Sequence, residues 1–129
     1  MISDFCDKVG GDKYKVLQAI GSDTRIGNKY FRQGYSFGGP CFPRDTRALA
    51  LFVDQNNINN ELLLSTTKYN ELHSKFLTQK LLDENKEEYI IENICYKEDS
   101  KIPIIEESAK LKIAKQLVEN GKKVIIKDE

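Results

Sequence analysis

Apolar residues recur at helical spacing from the start of the chain: Ile2, Phe5, Cys6 and Val9, stopped by Gly10-Gly11. No capping residue precedes this stripe, which predicts a helix that begins upstream of Met1. Asp12 then stands at an N-cap position ahead of a short helix whose apolar face is Val16, Leu17 and Ile20, closed by Gly21. Residues 22–42 break the rhythm. Five of them are Gly27, Gly34, Gly38, Gly39 and Pro40, and Tyr30, Phe31, Tyr35 and Phe37 add aromatic surface. A loop of this length in a compact domain is usually functional, and its aromatics argue for order. Pro43 suits the first turn of a following helix, with Leu49, Phe52 and Val53 as its apolar side.

Asn59 or Asn60 predicts the start of a long helix from Glu61 to about Asp83, striped by Leu62, Tyr69, Leu72, Phe76 and Leu81. The polar stretch DENKEE marks a boundary. Beyond it, Tyr89–Tyr96 (YIIENICY) reads as a strand. Ser108–Asn120 reads as a helix through Leu111, Ala114, Leu117 and Val118, with Gly121 at its end, and Lys123–Lys127 (KVIIK) as a second strand. Strand, helix and strand in so short a span predict a βαβ unit with parallel strands and a right-handed crossover. A lone βαβ cannot cover its sheet, so this end too reads as cut. The expected fold is α/β overall: a helical segment over residues 1–86, then the start of a Rossmann-like domain over 87–129.

Composition narrows the function. The chain has 129 residues, with 20 basic residues balancing 20 acidic ones, so no net charge draws it to nucleic acid or to a membrane surface. No apolar run approaches the roughly 20 residues that span a bilayer, and the N-terminus lacks the pattern of a secretory signal. Three widely spaced cysteines and one histidine predict neither a disulfide framework nor a metal site. Free thiols fit the cytoplasm. Cys6 and Cys95 lie in apolar runs and read as packing residues. His73 reads as a surface histidine, and Lys110, Lys112 and Lys115 as a solvated helix face.

Candidate chemistry concentrates in GYSFGGPCFPRDTR, residues 34–47. Cys41 sits just ahead of a predicted helix start, where unpaired N–H groups and the helix dipole favour a thiolate. Arg44 and Arg47 add positive charge, Gly38 and Gly39 admit close approach to the backbone, and Asp45 offers a carboxylate nearby. The residues alone also allow a small buried thiol in front of a helix, with Gly-Gly as turn chemistry.

FGGPCFPRDTRAL resembles the active-site cysteine segment of the UDP-glucose/GDP-mannose dehydrogenase family. DKVGGDKYKVLQAIGSDTRIGNKYF resembles the stretch leading into it, and CYKEDSKIPIIEESAKLKIAKQLVENGKKVIIKDE resembles the opening of that family's C-terminal nucleotide-sugar-binding domain. The resemblance implies an NAD-dependent oxidoreductase that converts a nucleotide sugar, by preference UDP-glucose, to its uronate through a cysteine thiohemiacetal and thioester. It implies Cys41 as nucleophile and Asp45 as the aspartate that activates water. It further implies substrate contacts from Arg25, Tyr30, Phe31, Arg32, Gln33, Gly34, Gly38 and Lys97. Arg44 stands where the family usually has a lysine that contacts the cofactor. The family's central domain forms a homodimer.

Departures are equally plain. No GxGxxG is present for NAD, and the family's catalytic lysine and asparagine match nothing in the chain. Ile104-Ile105 stands where many members carry an arginine. The chain therefore reads as a fragment: much of a central domain and the first part of a C-terminal one. The competing reading is a non-catalytic module that dimerises and binds a nucleotide sugar without hydride chemistry.

Overall fold

The computed structural model describes residues 1–97 and 102–127. Glu98 to Lys101, which belong to the third resembling block, lie outside the described residues, as do Asp128 and Glu129. The chain forms two compact units, Met1–Gly34 and Tyr35–Glu129.

The first unit holds α1 (Ile2–Val9) and α2 (Lys13–Gly21). Gly10 ends α1 in the left-handed conformation at φ 70°, which glycine adopts without a Cβ penalty. Asp12 caps α2 as its sequence predicts, its side chain accepting from the amides of Tyr14 and Lys15. Cys6 and Leu17 are buried, whereas Val16 on the expected apolar face is exposed. Beyond α2 the backbone runs through turns and irregular structure to Gly34, matching the long loop expected there.

The second unit contains α3 (Phe42–Gln55), α4 (Glu61–Asp83), β1 (Glu88–Glu92), α5 (Ala109–Glu119) and β2 (Lys123–Lys127). β1 and β2 pair in parallel, Tyr89 opposite Val124 and Ile91 opposite Ile126, so the βαβ unit is present. β1 stops at Glu92, short of the expected Tyr96. Asn93, at φ 50°, takes the chain out of extended backbone. Tyr89, Ile113 and Leu117 form the core, packed against Leu77, Leu81 and Leu82 of α4 together with Ile91 and Val124. The C-terminal half of α4 is thus the second layer that the small sheet and α5 need.

The expected apolar stripe of α3 does not face this core, and that of α4 reaches it at Leu81. Leu49 and Phe52 of α3 are exposed, and Pro43 and Ala50 are the residues α3 buries. On α4, Leu62 is 80% and Leu72 46% exposed. The buried line on α4 is polar instead: Asn70, Ser74 and Thr78, spaced by four. Apolar periodicity found the helix and its core contact at Leu81 but missed the polar stretch of its inner face, because that stretch meets backbone and side-chain hydrogen-bonding groups rather than a greasy layer. At the start of α4, Asn59 accepts from the Glu61 amide, while Asn60 donates its side chain back to the Ala50 carbonyl of α3.

Candidate active site

The segment leading to Cys41 crosses the polar face of α4. The Ser36 hydroxyl donates to the Asn70 carbonyl at 2.6 Å and lies 2.7 Å from the Ser74 hydroxyl. The Asn70 side chain makes two bonds to one loop residue. It accepts from the Phe37 amide and donates to the Phe37 carbonyl, both at 2.8 Å.

The next two residues are held from another side. A Cβ on Gly38 would collide with the Glu107 carbonyl. Gly39 has φ +83°, donates its amide to the Glu106 carbonyl at 3.1 Å, and lies against the Tyr96 ring. Glycine is required here both by conformation and by space.

Cys41 is the N-cap of α3 and is exposed, which sets aside the buried-thiol reading. Its carbonyl accepts from the Asp45 amide at 2.8 Å, closing the first helical turn. Pro43, in that turn, has no N–H to contribute. The Arg44 guanidinium donates from Nε to Asp45 Oδ1 at 2.7 Å. The hydrogen bond and then the charge of Asp45 raise the Arg44 pKa above its ordinary value, with Cys41 and Glu106 adding to the effect. The start of α3 therefore presents a thiol, a guanidinium and a carboxylate within five residues, all open to solvent.

Glu107 ties this helix to α5. Its carboxylate meets Arg47 at 3.1 Å and Lys112 at 2.5 Å. The hydrogen bond from Lys112 is the main reason its pKa falls below the ordinary value; burial opposes this, and Arg47 adds to it. The three lysines of α5 differ. Lys112 is bound to Glu107, and Lys110 donates to the Glu92 carbonyl with its ammonium 5.7 Å from the Tyr35 ring centre, so neither is simply solvated. Lys115 is exposed and approaches Glu119 at 3.9 Å. His73, half-buried, stacks on Tyr69, their ring centres 6.4 Å apart.

The structure brings Cys41, Asp45, Arg44 and Gly38 together along one short stretch of the second unit. Lys97 follows Tyr96 there and points an exposed side chain from a loop. Arg25, Tyr30, Phe31, Arg32, Gln33 and Gly34 belong to the first unit. Arg25 forks onto Asp23, Nη2 to Oδ2 at 2.6 Å, and Tyr30 is 93% exposed. Gln33 donates to the Tyr14 hydroxyl at 2.6 Å. Phe31, Arg32 and Gln33 line a hollow of about 380 Å³ with Tyr14, Leu17, Gln18 and Asn28. The sequence reading missed Asn70, Ser36, Ser74, Tyr96 and Glu107. The one available signal was the line of Asn70, Ser74 and Thr78, spaced by four along one face of α4. Among the described residues, no group of three or more His, Cys, Asp or Glu is placed to hold a metal ion. No helix among them is long and apolar enough to cross a membrane.

Residues 1–72 match the sequence profile of the UDP-glucose/GDP-mannose dehydrogenase family, central domain. The chain belongs to this family. Among curated relatives, it is 39% identical over 82 residues to UDP-glucose 6-dehydrogenase YwqF of Bacillus subtilis, covering 64% of this chain and 19% of the relative. It is 35% identical over 80 residues to UDP-glucose 6-dehydrogenase of Rickettsia prowazekii, covering 62% and 18%. Among solved structures, a UDP-glucose dehydrogenase from the hyperthermophilic archaeon Pyrobaculum islandicum superposes with a TM-score of 0.81 at 28% identity, over 94% of this chain and 28% of that one. A GDP-mannose dehydrogenase from Pseudomonas aeruginosa, at 24% identity and a TM-score of 0.71 over 97% of this chain and 29% of that one, shares the fold. The chain thus spans about a fifth of the curated relatives it matches.

Proposed function

We propose that this chain is the cysteine-bearing part of an NAD-dependent nucleotide-sugar dehydrogenase, with Cys41 the nucleophile and UDP-glucose the sugar nucleotide oxidised to UDP-glucuronate. Family membership supports the reaction class, and the names of the relatives favour UDP-glucose. The observation that carries the reading is the exposed Cys41 at the N-cap of α3, behind a loop packed too tightly for any side chain at Gly38 or Gly39. A nucleophile that must face substrate and yet be held in place needs that combination.

The covalent step follows from these groups. The Cys41 thiolate attacks the C6 aldehyde carbon, forming the C–S bond. The carbonyl π pair moves to oxygen, which takes a proton from water, giving a thiohemiacetal. Asp45, which accepts from Arg44 Nε at 2.7 Å, is the carboxylate that orients the water of the later hydrolysis.

NAD supplies the hydride acceptor in this reaction class. The described residues do not fit it. β1 is followed by Asn93–Lys97 rather than a glycine turn, no glycine occurs between Glu92 and Ala109, and Ser108 fills the N-cap of α5 with its own hydroxyl.

In this reading residues 1–86 form the cysteine-bearing, dimerising part and 87–129 open the nucleotide-sugar-binding domain. Arg25, Tyr30, Phe31, Arg32, Gln33, Gly34, Gly38 and Lys97 contact the substrate. The enzyme acts in the cytoplasm. The experiment offers the purified chain UDP-glucose with NAD, and separately the C6 aldehyde. The expected result is a Cys41 adduct from the aldehyde and no NADH from UDP-glucose. No adduct with the aldehyde contradicts the assignment of Cys41.

A further inference from the structure

We propose that Asn70 is a positioning residue for the Cys41 nucleophile, acting through the backbone of Phe37; this rests on the reading of Cys41 as the nucleophile. Asn70 lies in the middle of α4, 33 positions from Phe37 in sequence, and is only 8% exposed. Its amide engages both backbone groups of Phe37 at 2.8 Å. A main-chain N–H and C=O have fixed polarity, so the amide has a single satisfied orientation. The pair of bonds supplies Phe37 with what a neighbouring strand would give it, at a point where no strand runs. Ser36 docks on the same helix face through the Asn70 carbonyl and Ser74.

Only Gly38, Gly39 and Pro40 separate this anchor from Cys41. Gly39 is bonded to Glu106, Gly38 is packed on Glu107, and Pro40 has its φ fixed by its ring. Beyond Cys41 the chain enters α3. The nucleophile therefore sits between two anchored ends, and Asn70 holds the upstream one through both backbone groups of Phe37. A displacement of about 1 Å at a reacting group can cost on the order of 100-fold in rate. An apolar residue at position 70 would leave the part-buried N–H and C=O of Phe37 without these partners.

The test uses Asn70→Asp and Asn70→Leu in the full chain. A protonated carboxyl has an acceptor and a donor in the geometry of the asparagine amide; an ionised one has only acceptors and repels the Phe37 carbonyl. Amide hydrogen exchange over residues 36–41, corrected for intrinsic rates, is followed from pH 4 to pH 8. Protection in Asn70→Asp is expected about tenfold below wild type at pH 8 and to recover towards wild type at pH 4, while Asn70→Leu stays low throughout. The rate of Cys41 capture of the C6 aldehyde at pH 8 is expected to fall at least about tenfold in both variants, with Cys6 and Cys95 alkylation unchanged. If Asn70→Leu fails to fold, the two pH values of Asn70→Asp carry the comparison. Wild-type capture rates in the variants overturn the proposal, whether or not loop protection drops. A wild-type chain that captures no aldehyde overturns the nucleophile reading itself and is recognised without any variant.

Discussion

Gly39 lies directly against the ring of Tyr96: a Cβ built on this glycine would stand 2.6 Å from two of the ring carbons. The same residue has φ +83°, so side chains are disfavoured twice over. Tyr96 comes from the stretch after β1, and the contact makes that stretch one wall of the cysteine loop.

Gly39→Ala is therefore expected to destabilise the second unit by about 2 kcal/mol, combining left-handed strain with displacement of the ring. Tyr96→Ala in the same background should recover part of that loss by removing the collision but not the strain. Chemical denaturation of the two variants and their combination reads the coupling between the sites. Simple additivity would show that the ring contact is not what constrains Gly39.

Thiol reactivity should follow exposure and helix position. Cys41 is exposed at a helix N-terminus, Cys6 is buried, and Cys95 is half-buried. Iodoacetamide labelling of the folded chain, followed by mass spectrometry, is expected to modify Cys41 first and Cys6 last. Equal rates at all three would contradict the site.

The Glu107 pairs give a pH dependence of definite sign. The folded pKa of Glu107 lies below its ordinary value of 4.5, chiefly through the hydrogen bond from Lys112. The group contributes its stabilisation fully above the unfolded pKa and loses it as pH falls through the folded one. Glu107→Gln should cost about 1 kcal/mol at pH 7, kept small because Arg47 is half exposed, and the cost should shrink below about pH 4. Denaturation of both proteins at pH 7 and pH 3 tests this; a difference that does not narrow in acid contradicts it.

Much of this fold was legible in the sequence. Gly10, Asp12, Pro43, Gly121 and the β-branched KVIIK run each marks an element end or type, because caps, breakers and strand propensity act within a few residues. The inner face of α4 was legible at Leu81 but not along Asn70, Ser74 and Thr78. Leu62 and Leu72 look like core residues to a periodicity argument, and the exposed side chains of α3 and α4 show that apolar spacing does not say which layer a helix meets. The cysteine block announced itself through its glycines and its position before Pro43. Its supports did not, because Asn70, Tyr96 and Glu107 lie about 30 to 70 residues away in sequence and only the tertiary fold brings them to the loop.

Leu51 and Leu64 line a hollow of about 460 Å³ between α3 and α4, and Leu51 is 65% exposed. If the central helices pair with a second copy, as the proposed function has it, covering this apolar surface favours association. Sedimentation of the chain should show concentration-dependent dimers, and Leu51→Glu should move the population towards monomer. A compact monomer at all concentrations would contradict the dimer.

The central claim, that Cys41 is the covalent nucleophile, is tested most directly by carbon-13 NMR of a UDP-glucose C6 aldehyde labelled at C6. With the wild-type chain, the aldehyde and hydrate signals should give way to a thiohemiacetal resonance that is absent with Cys41→Ser and retained with Cys6→Ser and Cys95→Ser. A wild-type spectrum identical to that of Cys41→Ser would contradict it.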